Sequence, residues 1–143
     1  MSTLFLWLHI GFAIFAVGPL TAATMAAPRA IRAGNVPVLR NIQRTTRIYG
    51  IASLGVFVFG VVLGIVLGGG VLGLWNMTAS MTLFIVAIVL VFIIDRDLRG
   101  AVQALESEER DDDAKVQNGR VAAISGLLAV IWLVILFLMM WPN

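Results

Sequence analysis

Few residues in this chain are equipped for chemistry. His9 is the only histidine and cysteine is absent, which excludes a disulfide scaffold, a thiolate zinc site and a cysteine redox centre. All eight acidic residues lie between Asp95 and Asp113. Consecutive helical residues diverge by about 100°, so Asp111-Asp112-Asp113 does not converge on a hard cation as a calcium or magnesium site requires. That run reads as a solvated acidic tip. A lone histidine without an accompanying carboxylate cannot assemble a nucleophile–base–orienter set. What remains is His9 as a ligand. At about 100° per residue, Ala13, Ala16, Leu20 and Ala23 share its helical face. A row of alanines beside an imidazole leaves room for a flat group such as haem b, whose iron an axial histidine can hold. The second axial ligand would then be a methionine or His9 of a second copy. The same row equally permits plain packing, with the imidazole bonded to a backbone carbonyl or a hydroxyl, and both readings stand.

The elements that must position His9 follow from the distribution of charge. The chain has 143 residues, 60% hydrophobic and only 13% charged, where a soluble domain carries about 25% charged residues. All ten basic residues fall in two segments, Arg29 to Arg47 and Arg96 to Arg120. Between them lie four uncharged stretches, about 3–27, 49–71, 75–94 and 121–141, each long enough to cross ~30 Å of hydrocarbon at ~1.5 Å per residue. The expectation is an all-α, polytopic membrane protein. Residues 1–143 would form one domain, four transmembrane helices in an antiparallel bundle. The basic connections, about 28–48 and 95–120, are placed in the cytoplasm by the positive-inside rule, which puts both termini outside. Trp7, Trp75 and Trp141 would mark the outer interface. Met1-Ser2-Thr3 offers no positive region of the kind that opens a signal peptide, so the first span reads as retained.

Small residues form stripes within the spans. Gly60, Gly64 and Gly68, with Ser53 one heptad earlier, line one face of helix two, and Gly11, Gly18 and Ala22 repeat similar spacing on helix one. Lipid tails are as apolar as leucine, so helix association depends on close backbone approach, which such residues allow. The stripes serve either the internal packing of helices one and two or a homodimer or docking face. Pro19 removes a backbone hydrogen bond and should kink helix one.

The connections carry their own signals. Gly34 reads as a C-cap, Asn35 as an N-cap and Pro37 as a first-turn residue. Arg40, Arg44 and Arg47 then recur at i, i+4 and i+7, a basic stripe that either only fixes topology or also binds anionic lipid headgroups. Leu98, Ala101, Val102 and Leu105 extend helix three as an amphipathic segment, and Asn118-Gly119 reads as a turn before helix four. The first connection carries five positive charges and no negative ones, the second five positive and eight negative. Lying on one side of the membrane, they could pair.

With no charge inside any span, a proton pump, a voltage sensor and a charge-coupled transporter lack their usual equipment. Nucleic-acid binding is not expected, because the basic residues serve topology and the second cluster is neutralised by acids. The segments Leu6-Trp7-Leu8-His9-Ile10-Gly11-Phe12, Gly18-Pro19-Leu20, Ala27-Pro28-Arg29 and Arg44-Thr45-Thr46-Arg47-Ile48-Tyr49-Gly50 resemble a family of small, mostly actinobacterial, four-helix membrane proteins of unknown function. More distantly, Leu-His-Ile in helix one is similar to HemJ-type and CopD-like four-helix membrane proteins. In the HemJ family the first-helix histidine binds haem, which the resemblance carries over to His9 alone. The lysine that family needs in a later membrane helix is missing, so the resemblance does not extend to oxidase activity. The expected location is a bacterial cell membrane. The expected function is a non-enzymatic oligomeric or accessory subunit packing through glycine-rich faces, or, alternatively, a small b-type haem protein in electron transfer or haem handling.

Overall fold

A computed structural model describes residues 1–107 and 115–142. Among them the regular structure is all helical. Four helices, α1 (Ser2–Ala33), α2 (Val36–Leu67), α3 (Trp75–Glu106) and α4 (Lys115–Met140), are long and apolar enough to cross a membrane. Each helix packs on its neighbours in chain order, and the second half of α1 closes the ring against α4. The segment from Glu108 to Asp113, which holds the acidic triplet, lies outside the described residues.

The helices run well past the hydrocarbon spans. The connection expected at about 28–48 shrinks to Gly34 and Asn35 between α1 and α2. Gly34 ends α1 at φ +65°, a left-handed conformation that glycine adopts without steric cost. The Asn35 side chain then accepts a hydrogen bond from the Val38 amide at 3.3 Å, and Pro37 sits in the first turn of α2. α1 continues because its core face does: Ala27, Ala30 and Ile31 are buried in line with Leu20 and Ala23. On the facing side, Leu39 and Ile42 of α2 and Leu98 and Ala101 of α3 are buried as well. Tertiary burial outweighs the local cost of Pro28 inside the helix. Proline at that position leaves the carbonyl of Thr24 without its helical donor, and the Ser125 hydroxyl on α4 donates to it at 3.0 Å.

Pro19 acts differently. Just before it, Ala13–Val17 form a turn of π-helix, the form in which a helix absorbs one extra residue. Above this turn, Ser2–Phe12 packs on α2 alone, whereas Gly18–Ala33 packs on both α2 and α4. The π turn therefore coincides with the point where α1 parts from α4. At the far end of α2, Gly68, Gly69 and Gly70 all take positive φ and lead through a 3-10 turn, Val71–Gly73, into α3. Helix four begins at Lys115, so Asn118 and Gly119 lie inside it rather than in a turn.

Candidate functional site

Where α1 and α4 diverge, a partly open cavity of about 770 Å³ lies in the half remote from the arginines, with all four helices contributing to its wall. Its floor is aromatic. Phe57 stacks on Phe84 at 5.4 Å between centroids, and Phe84 meets Trp132 edge-on at 5.6 Å, the offset and edge geometries that aromatic quadrupoles favour. Nearly all of the remaining wall is aliphatic or thioether, including Met77, Met81, Met139 and Met140. Its side-chain polar groups are few: His9, Ser80 and the Trp132 indole. The Ser80 hydroxyl is committed to the Asn76 carbonyl at 2.7 Å. The Trp132 Nε1 is buried without a hydrogen-bond partner, although buried indole N–H groups usually find one.

His9 is held from α2. Its Nδ1 lies 2.8 Å from the carbonyl oxygen of Val56. A carbonyl only accepts, so Nδ1 carries the proton and, in the neutral ring, Nε2 keeps a lone pair. Among the described residues Nε2 has no hydrogen-bond partner. The approach is possible because of Gly60, one turn beyond Val56: a Cβ there would lie 2.8 Å from His9 Cε1 and 3.0 Å from Nδ1. An imidazole whose Nδ1–H is bonded to a backbone carbonyl while Nε2 stays open is the arrangement common to metal-ligating histidines.

Of the row expected on the His9 face only Ala13 lines the cavity; Ala16, Leu20 and Ala23 are covered by the protein itself, so the alanine row is not what makes room for a ligand. The glycine stripes need correction. Gly11 and Gly18 have nothing within 4 Å of a Cβ position, and Gly18 and Ala22 are exposed, so this stripe does not pack α1 on α2. Instead α2 receives a bulky side chain at each glycine: Val91 at Gly50, Phe12 at Gly55, His9 at Gly60 and Leu72 at Gly64. Gly68 is a positive-φ helix end rather than a packing position. Ser53 is buried and donates to its own helix at Gly50. The glycine spacing was visible in the sequence; that it accommodates side chains rather than a second helix backbone was not.

The arginine-bearing end holds a polar network. Pairing between the two connections is expected from their charges, and Arg40–Glu106 supplies it; the burial of Asp95 and Asp97 is not, because charge alone places them at the surface. They are 7% and 4% exposed on α3. Asp97 is paired with Arg120 of α4 through both carboxylate oxygens, with Nε at 3.1 Å. Asp95 accepts from Gln43 of α2 at 2.7 Å and pairs with Arg99 one turn on at 3.3 Å. Arg40 pairs with Glu106, which ties α2 to α3 and takes Arg40 out of the open basic stripe. Arg44 and Arg47 remain exposed. Periodicity alone did not show this: two residues apart on a helix, Asp95 and Asp97 fall about 80° to either side of the face of Ala87, Val91 and Ile94, at its edges rather than on it. Compared with family models, with curated proteins and with solved structures, the chain finds no match.

Proposed function

We propose that this is a non-enzymatic integral membrane protein that holds a flat, apolar ligand in the cavity between α1 and α4, with haem b at His9 as the specific form of that reading. The observation that carries it is one side chain. His9 lines the cavity with its Nδ1–H committed to Val56 and its Nε2 open. Ligand cavities are typically apolar with a few placed polar groups, and this one offers His9 and the unpartnered Trp132 Nε1. The iron and ring of haem b fit these residues: His9 would hold the iron, Phe57, Phe84 and Trp132 would bear on the ring, and the methionines of the wall offer a further ligand type, while the wall holds no cationic side chain for the propionates. Bound haem would supply one-electron chemistry, while the chain's own part is to bind, orient and exclude water. The arginine distribution favours a placement with both termini outside, which sets the cavity in the outer half of the bilayer.

The test is the visible spectrum of protein purified from haem-replete cells. A Soret band is expected, and His9→Ala should abolish it while the helices remain folded. Colourless protein that also takes up no added haem would remove the haem form of the proposal.

A second reading, an accessory or self-associating subunit, is favoured by the outward Gly11–Gly18–Ala22 stripe, because a face of small residues with no internal partner suits close approach by another helix.

A further inference from the structure

We propose that the groove between α2 and α3 at the arginine-bearing end is a binding site for one anionic phospholipid. This rests on the chain spanning a membrane and is independent of what the other cavity holds. The groove encloses about 280 Å³, and its two walls have the same polarity. On α2, Arg47 is followed by Ile51 and Leu54 at i+4 and i+7; on α3, Arg99 is preceded by Phe92 and Ile88 at i−7 and i−11. Residues so spaced share a helical face, so both walls read from guanidinium at one end to hydrocarbon, over about 10 Å on α2 and about 16 Å on α3. That is the polarity of a phospholipid entering headgroup first from the arginine side. Gly50 forms the base, where the Cβ it lacks would fall 2.9 Å from Val91 Cγ1, so the helices close tightly beneath the groove.

The charges select the headgroup. Asp95 lines the groove and pairs with Arg99, and Gln43 fixes Asp95 in turn, so the Arg99 guanidinium is held in place. Arg47 has no ion-pair partner among the described residues. Two arginines against one aspartate leave a net single positive charge, complementary to a phosphodiester without a balancing ammonium. Basic pockets between transmembrane helices recognise anionic headgroups on these terms.

The experiment is a native mass-spectrometric titration of the full chain in neutral detergent. The probes are phosphatidylglycerol, phosphatidylcholine of the same chains, and glycerol 3-phosphate. Phosphatidylglycerol should bind one per chain and at least about fivefold more tightly than phosphatidylcholine. Arg47→Gln should remove that preference; because Arg47 is unpaired, this variant should keep its thermal stability. Arg32→Gln, an equal charge change at an exposed position of α1 outside the groove, should bind like the parent. Leu54→Trp, which fills the hydrocarbon end, should weaken both lipids. Three results would each overturn the proposal: Arg47→Gln indistinguishable from Arg32→Gln, phosphatidylcholine bound as tightly as phosphatidylglycerol, or glycerol 3-phosphate bound as tightly as the lipid. The last would identify a site for free phosphate.

Discussion

Gly60→Leu is expected to be the most damaging substitution in the apolar part of the bundle, costing about 3 kcal/mol, the upper end of what overpacking commonly does. The first added carbon already falls 2.8 Å from His9 Cε1. The ring cannot swing aside at no cost, since its Nδ1 is bonded to Val56 and would lose that acceptor in an apolar surrounding. The helices must part instead, at the level where α1 has only α2 to lean on. Gly64→Ala makes a useful contrast. Its Cβ would overlap Leu72 more severely, but it meets the flexible end of that side chain, which can turn away. Gly18→Leu should leave stability unchanged, because nothing lies near Gly18; if the outward stripe is a docking face, this variant alone should lose a crosslinked dimer. Equilibrium denaturation in mixed micelles ranks the three. Equal losses for Gly60→Leu and Gly18→Leu would refute the packing described above.

The second large effect belongs to the polar end. Arg120→Gln removes the main partner of a carboxylate that is 4% exposed, and an uncompensated buried charge commonly costs 3–5 kcal/mol. Arg120 is itself half exposed and Arg96 stands 3.9 Å from Asp97, so about 2 kcal/mol is expected. Asp97→Asn should cost less, about 1 kcal/mol, since the arginine it frees can turn to water. That ordering, read by the same denaturation, distinguishes a buried-charge penalty from simple loss of a surface pair. If Asp97→Asn proves the worse of the two, the network is not organised around a buried carboxylate.

How much of this was legible in the sequence depends on which physical signal governs each feature. The four spans were legible because twenty uncharged apolar residues have few alternatives, and the Gly34–Asn35 caps because their conformations are local. Helix ends were legible for the same reason, Gly34 closing α1 and the Leu98–Leu105 periodicity carrying α3 past its span. What holds those extensions in place was not: Ala30, Ile31, Leu39 and Ile42 carry the core onward, and Ser125 on another helix satisfies the carbonyl that Pro28 leaves. Asp95 and Asp97 were hidden for a related reason: charge signals exposure unless partners distant in sequence, here Gln43 and Arg120, are known. That Ala13 stands beside His9 was legible from helical periodicity; that Ala16, Leu20 and Ala23, beyond a π turn, pack on protein rather than line the cavity was not. Its acceptor at Val56 and its seat on Gly60 were not, because they depend on the relative register of two helices.

The claim at the centre of this account is that the cavity beside His9 takes up a flat apolar ligand, and Trp132 on its wall reports on this directly. The measurement is tryptophan emission of the detergent-solubilised protein during titration with haemin and with metal-free protoporphyrin IX. Trp132→Phe supplies the background from Trp7, Trp75 and Trp141. Saturable quenching of the Trp132 component by both, at one equivalent per chain, is the predicted result. His9→Ala should weaken haemin at least tenfold, a loss of about 1.4 kcal/mol, and leave the porphyrin unchanged. A Trp132 component that stays constant, or declines without saturation as micelle partitioning alone would make it, would contradict the account.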